Sequence, residues 1–256
     1  MTSSLKVFIT GASSGIGLAL AAEYARQGAT LGLVARRFDA LTEFARRFPH
    51  LSISVYAADV RDDAALADAA TRFIGEHGLP DIVIANAGIS KGVATGHGDL
   101  AAFREVMDVN CFGMAATFEP FAKAMSEARR GTLVGIASVA GVRGLPGSGA
   151  YSASKAAALT YLESLRVEMR PFGVAVVTIA PGYIRTPMTA HNPYPMPFLM
   201  DASRFARKAA GAIARKRRFA VFPWPMRIVG MLLRCLPRWM YDWVFEKAPR
   251  KPRAVG

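Results

Sequence analysis

Residues 5–17 read Leu5-Lys6-Val7-Phe8-Ile9-Thr10-Gly11-Ala12-Ser13-Ser14-Gly15-Ile16-Gly17. The run Leu5 to Thr10 is apolar and of strand length. It passes into a turn holding three glycines and then into the alanine-rich stretch Leu18 to Gln27, which favours helix. A strand, a glycine turn and a helix start together form a cradle for phosphate, because free N–H groups and the positive end of the helix dipole face the turn. In this reading Gly11 permits the tight turn, Gly15 lets a pyrophosphate approach the backbone, and Gly17 lets the helix pack close to the strand. The spacing is G-x-x-x-G-x-G rather than the commoner G-x-G-x-x-G.

The pattern recurs down the chain. Apolar strand-like runs at Thr30–Ala35, Leu51–Ala57, Asp81–Ala85, Leu133–Ala137, Gly173–Ala180 and Phe219–Phe222 alternate with helical stretches at Asp39–Phe48, Arg61–His77, Asp99–Arg129 (read as two helices), Ala150–Arg170 and Ser203–Arg218. Ser203 reads as the cap of the last of these. Such alternation predicts an α/β protein with a parallel seven-stranded sheet and helices on both faces, the doubly wound Rossmann arrangement. Right-handed crossovers bring every strand's C-terminal end to one edge, where ligands bind. The glycine turn, Arg36, Asp59, Asn86 and Ser138 all follow strands, so they converge there.

The second strand ends in Ala35-Arg36-Arg37. An acidic residue at this place would accept hydrogen bonds from the adenosine ribose; two guanidiniums instead suit a 2′-phosphate. This favours NADP(H) over NAD(H), the alternative being that one or both arginines are solvated surface groups.

Composition bounds the rest. With 256 residues, 52% hydrophobic and 20% charged, the chain can bury a real core and is not a disordered segment. No charged, then apolar, then small-residue leader precedes the first strand, which predicts a cytoplasmic protein. Cys111 and Cys235 read as free thiols. His50, His77, His97 and His191 have no metal-ligand spacing, so no metal is expected. The net charge of +13 is uneven: from Arg204 onward there are fourteen Lys or Arg against Asp242 and Glu246, leaving the preceding residues nearly balanced.

The segment Ser138 to Lys155, S-V-A-G-V-R-G-L-P-G-S-G-A-Y-S-A-S-K, places Tyr151 and Lys155 one helical turn apart on one face. A cation beside a phenol favours the phenolate and equips it to exchange a proton near neutral pH. Ser138 ends a buried strand, so the loop can carry its hydroxyl to the phenol. Val142, Arg143, Leu145 and Pro146 are expected to form one wall of the pocket, opposite an apolar lid at Pro187–Met200.

Together, Thr10-Gly11-x-x-x-Gly15-x-Gly17, Asn86-Ala87-Gly88, Asn110, Ser138, Tyr151-x-x-x-Lys155 and Pro181-Gly182 resemble the short-chain dehydrogenase/reductase family in its single-domain form, over about residues 5 to 222. The resemblance implies NAD(P)-dependent oxidation of alcohols or reduction of carbonyls. It implies that Tyr151 is the general acid in reduction and the base in oxidation, and that Lys155 lowers its pKa and binds the nicotinamide ribose. Ser138 would hold the substrate oxygen, and Asn110 a water linking Lys155 to solvent. Ser13, Ser14 and Ile16 belong to the cofactor turn; Asp59 and Val60 would meet the adenine; Asn86, Ala87 and Gly88 would line the cofactor's middle. Ile184 and Thr186, after Pro181-Gly182, would contact the carboxamide. A homodimer or homotetramer is implied by the same likeness.

Residues 223–256 lie outside that pattern and read as a basic amphipathic extension of a domain spanning 1–222. Pro237 should split it into two helices. Its longest apolar run, Ile228 to Leu233, is too short to span a bilayer, which takes roughly 20 residues. A broad apolar face with flanking arginines and tryptophans suits peripheral contact with an anionic membrane; packing over the substrate pocket or against another subunit is the competing reading. Nucleic acid is not an expected partner, because the arginines are interleaved with large apolar residues. The predicted function is carbonyl reduction or alcohol oxidation on an apolar, lipid-like substrate. The alternative is a non-enzymatic nucleotide-sensing or membrane-binding module on the same fold.

Overall fold

A computed structural model describes residues 4–190, 192 and 194–253. The chain begins β1 (Lys6–Thr10), α1 (Gly15–Arg26), β2 (Thr30–Ala35), α2 (Phe38–Arg46), β3 (Ile53–Ala57), α3 (Asp63–His77) and β4 (Ile82–Ala85). It continues with α4 (Leu100–Met107), α5 (Gly113–Glu127), β5 (Thr132–Ile136), α6 (Gly149–Met169) and β6 (Ala175–Pro181). It ends with β7 (Ile184–Arg185), β8 (Met200–Asp201), α7 (Ala202–Ala214), β9 (Phe219–Phe222), α8 (Pro225–Cys235) and α9 (Arg238–Phe245).

Seven strands form one sheet in the order β3-β2-β1-β4-β5-β6-β9, with every pairing parallel. Both faces are covered, so the strands are apolar throughout rather than alternating. Val7, Ile9, Leu31 and Leu33 face α1, α2 and α7 through Leu20, Leu41 and Phe205. Phe8, Val34, Val83 and Leu133 face α3, α5 and α6 through Phe73, Phe118 and Leu162. The order reverses between β1 and β4, and the loops after those two strands leave on either side of a crevice at the C-terminal edge.

The stretch 99–129 does hold two helices, α4 and α5, which a π-helical segment, Asp108–Phe112, joins without a break. Two expectations are corrected. Ser203 is not a cap: α7 starts at Ala202, because Asp201 is held one step earlier by the β7–β8 pair and by an ion pair with Arg185 (3.0 Å). The helix expected from Arg61 starts at Asp63, since Asp62 accepts a hydrogen bond from the Ala65 N–H and caps it. Within the expected lid, His191 and Pro193 lie outside the described residues.

The extension does split at Pro237, into α8 and α9. The packed side of α8 carries Met226 and Gly230, the latter facing Val139 and Val142. Tyr241 of α9 donates a hydrogen bond to the Gly144 carbonyl, and its ring lies under the Arg143 guanidinium at 4.4 Å. Beyond α9, residues 250–253 cross the loops that follow β4 and β5. A Cβ on Gly92 would overlap the Pro252 carbonyl, and one on Gly147 would press on Arg250. Arg253 pairs with Asp99 (2.7 Å), and Lys251 donates to the Ser90 hydroxyl (2.7 Å).

Candidate active site

The glycine turn is braced from behind. Gly11 and Gly15 both hold positive φ (68° and 58°), which glycine alone adopts at no steric cost. The Asn86 amide donates to the carbonyls of Thr10 (3.1 Å) and Gly11 (3.2 Å), and the Asn86 N–H donates to the Thr10 hydroxyl (3.3 Å). Asn86 thus ties the ends of β1 and β4 together across the crevice. A Cβ on Gly17 would overlap the Gly11 carbonyl and the Asn86 amide, so its missing side chain lets α1 come close to the ends of β1 and β4.

One open cleft runs from this turn to the start of α6. It is lined by Gly11, Ser13, Ser14, Gly15 and Ile16, by Arg36 and Arg37, by Asp59 and Val60, and by Asn86, Ala87 and Gly88. Further along it are Ser138, Tyr151, Lys155, Pro181, Gly182, Ile184 and Thr186. Two expected site residues are set behind the wall instead, Gly17 and Asn110. The cleft also takes Pro187, Met188 and Thr189 from the start of the expected lid, and Ile89, which motif reading did not single out. Thr189 caps its own turn by donating to the Ile184 carbonyl (2.7 Å), and Thr186 sits over Gly15.

At the adenosine end, Arg37 reaches back to Ser13, donating to its hydroxyl (3.2 Å) and carbonyl (3.4 Å). Arg36 lies 3.8 Å from the Asp59 carboxylate. That carboxylate is already gripped at both oxygens by Arg61 (3.0 and 2.6 Å), whose hydrogen bonds hold its pKa below the ordinary value. Asp59 therefore presents a satisfied carboxylate to the cleft.

At the other end, Ser138 leaves β5 and starts a short 3-10 turn. Its oxygen accepts from the Ala140 N–H (3.1 Å), and its hydroxyl donates to the Pro181 carbonyl (3.4 Å). Tyr151 and Lys155 sit one turn apart on α6, with Nζ 5.9 Å from the phenol ring centre. Burial pushes the Tyr151 phenol up, and the Ser138 hydroxyl beside it pulls the other way. The expected lowering by Lys155 is not the controlling effect in this geometry, because the ammonium is turned to the Ile136 carbonyl (2.8 Å). Lys155 is itself brought down to about 8 by burial, with Cys111 acting in the opposite sense. Its amine is therefore a buried cation at neutral pH.

Asn110 is fully buried in the π-helical segment. Its oxygen accepts from the Ile89 N–H (2.8 Å), and its amide donates to the Ile89 carbonyl (2.9 Å) and to Ser154 (2.9 Å). The side chain clamps the loop after β4 to α6. Gly88, next to that clamp, leaves room between Asn110 and Lys155.

A family model described as short chain dehydrogenase matches residues 6–195. The protein belongs to the short-chain dehydrogenase/reductase family. An uncharacterized oxidoreductase of Myxococcus xanthus is 38% identical over 238 residues, covering 91% of this chain and 93% of that protein. The cis-4-hydroxycyclohexanecarboxylate dehydrogenase of Sinomonas cyclohexanicum is 34% identical, over 83% and 84% of the two chains. Among solved structures, a short-chain dehydrogenase from Streptomyces avermitilis superposes with a TM-score of 0.80 at 25% identity, over 90% of this chain and 92% of the other.

The protein is accordingly an oxidoreductase of this family, which binds a nicotinamide cofactor, and its cleft fits one. The glycine turn offers backbone N–H groups where side chains would block an anion, and the cleft is long enough to join that turn to the Tyr151 phenol. The family-matched segment stops at residue 195, so α7 to α9 lie beyond it. Arg143 departs from its expected place. It does not form a pocket wall but donates to the carbonyls of Leu233 (3.0 Å) and Leu236 (3.0 Å), closing the C-terminal end of α8. No run of letters marked that partner, which lies ninety residues away.

Proposed function

We propose that the protein is an NADP(H)-dependent carbonyl reductase, and in reverse an alcohol dehydrogenase, for an apolar, lipid-like ketone or secondary alcohol. The observation that carries this reading is the convergence of Ser138, Tyr151 and Lys155 at one end of a cleft whose other end is flanked by Arg36 and Arg37. When bound, nicotinamide supplies or accepts the hydride. In reduction, Tyr151 passes its phenolic proton to the substrate oxygen. Ser138 donates a hydrogen bond to the same oxygen and stabilises the charge that grows there. The Lys155 ammonium steadies the phenolate left behind. Asn110, through its clamp on Ile89 and Ser154, keeps Gly88 and Lys155 at a fixed separation and leaves space for a water between Lys155 and solvent.

The preference for NADP(H) is supported by Arg37 docked on Ser13 and by the absence of an acid at the end of β2, where Ala35 stands. The apolar substrate is supported by Ile89 and Met188 in the cleft. The relative named for cis-4-hydroxycyclohexanecarboxylate dehydrogenation is named for a ring-borne secondary alcohol. Residues 223–256 are taken as a helical extension of a domain spanning 1–222. The working form is taken as a homodimer or homotetramer in the cytoplasm, at the face of a membrane.

The test is NADPH oxidation with a panel of ketones, wild type beside Tyr151→Phe. Loss of at least a hundredfold in the variant is expected from removing a general acid, a contribution of about 10²–10⁴; equal rates overturn the mechanism. Arg36→Ala and Arg37→Ala should weaken NADPH more than NADH, and an unchanged ratio overturns the cofactor assignment.

A further inference from the structure

Helices α8 and α9 have two sides of opposite character. The inner side is bolted to the segment between Ser138 and Tyr151 through Gly230, Tyr241 and the Arg143 contacts, and to Gly182 through Met226. The outer side exposes Trp224 (71%), Trp239 (70%) and Trp243 (76%), together with Ile228, Met231 and Leu232. These are the chain's three tryptophans. An isolated exposed apolar residue needs no explanation, but a contiguous group of this kind marks an interaction surface. Arg227, Arg234, Arg238 and Lys247 are exposed on the same extension, and among the described residues none of them makes an ion pair.

We propose that this face docks on an anionic lipid bilayer, lying in the headgroup region. The charge decides between bilayer and second copy. Residues 223–253 carry seven Lys or Arg against Asp242 and Glu246. A two-fold contact through the patch would bring together two surfaces of the same net positive charge, and like charges so juxtaposed are costly. An anionic surface instead meets each cation with a phosphate. Indole rings settle at the headgroup level because one end is apolar and the N–H is polar. Arginine stems lie along the apolar surface while their heads reach the phosphates. The element does not cross: among the described residues no helix is long and apolar enough to do so.

The docked face is rigidly joined to the segment between Ser138 and Tyr151. Arg143 holds the end of α8, Tyr241 holds Gly144, and Gly230 abuts Val139 and Val142. Docking therefore brings the segment between Ser138 and Tyr151 to within one helix thickness, ~10 Å, of the membrane that would hold a bilayer-resident ketone. This last step rests on the carbonyl-reductase reading; the docking itself does not.

The experiment is flotation of the full chain with vesicles of phosphatidylcholine alone and of phosphatidylcholine mixed with phosphatidylglycerol. Binding to the mixed vesicles is expected, falling as salt rises. Arg234→Gln and Arg238→Gln should each weaken it about fivefold. The double variant Trp239→Gln/Trp243→Gln should lose binding at least tenfold while reducing a water-soluble ketone at the wild-type rate, which also shows that it is folded. A full-length protein that ignores the mixed vesicles overturns the docking surface. So does wild-type protein whose mass in solution falls on Trp239→Gln/Trp243→Gln without any vesicle binding, because the patch is then a contact between copies. Flotation without ketone reduction by any variant upholds the docking and removes the reductase reading.

Discussion

Lys155 shows what a single buried charge costs and what it supplies. Its side chain is 4% exposed, and burial brings its pKa to about 8 from an unfolded value of about 10.4. Between those two values the unfolded chain holds the extra proton, so this group makes stability rise with pH there, and its full penalty is present below about pH 8. A gap of this size is on the order of 3 kcal/mol. Lys155→Met removes the penalty but leaves the Ile136 carbonyl without its donor, which takes back about 1–3 kcal/mol. Cofactor-free Lys155→Met is therefore expected to melt about 2–4 °C higher than wild type at pH 7. As the pH approaches 10.5 the penalty fades while the missing donor remains, so the order should reverse there, and activity should be lost throughout. Differential scanning fluorimetry at pH 7 and pH 10 checks this; a lower melting temperature at pH 7 would refute the assignment of strain to the ammonium. The Ser138, Tyr151 and Lys155 positions were legible in the sequence because a strand end and a helix start put them within reach. The direction of the Tyr151 pKa was not, because it depends on where the lysine points: the ammonium turns to Ile136, which no spacing rule encodes.

At the scale of elements, the alternation of apolar runs with amphipathic stretches specified seven strands and their common edge. Boundaries drifted where two capping residues compete, as Asp201 and Ser203 do before α7. The π-helical segment left no compositional mark: Asp108–Phe112 contains no proline or glycine, and the extra residue in the turn becomes visible only through what Asn110 grips. That grip gives the element a measurable weight. Asn110→Ala deprives the Ile89 N–H and carbonyl of their partners, each loss costing about 1–3 kcal/mol. The expected outcome is a urea unfolding midpoint lowered by the equivalent of about 2–6 kcal/mol. Asn110→Asp keeps the acceptor for the Ile89 N–H but sets a carboxylate oxygen against the Ile89 carbonyl and buries a charge, so it should lose at least as much. If alanine and aspartate variants unfold together with wild type, the clamp does not contribute to stability.

Across the whole molecule, the loops after β4 and β5 are closed by residues 250–253, which arrive from the far end of the sequence. Gly92 and Gly147 make that crossing possible, and the Asp99–Arg253 pair fastens it, holding the Asp99 carboxyl down to about 2 through the guanidinium's hydrogen bonds. The basic, apolar character of this region was legible; its path was not, since nothing local distinguishes Arg253 from the exposed arginines before it. Asp99→Asn should free the segment. Limited trypsinolysis followed by mass spectrometry is then expected to show cleavage after Lys247 and Arg250 severalfold faster than in wild type. Unchanged cleavage would mean that the ion pair does not fasten the segment.

On the docking proposed above, the outward tryptophan face also changes what concentration means for this enzyme. A protein held on a sheet of lipid meets a lipid-borne ketone in two dimensions, and turnover is then set by the ketone's mole fraction among the lipids rather than its amount per volume. Adding inert vesicle lipid at fixed total ketone should slow the wild-type enzyme by surface dilution. It should leave Trp239→Gln/Trp243→Gln acting on a water-soluble ketone unaffected.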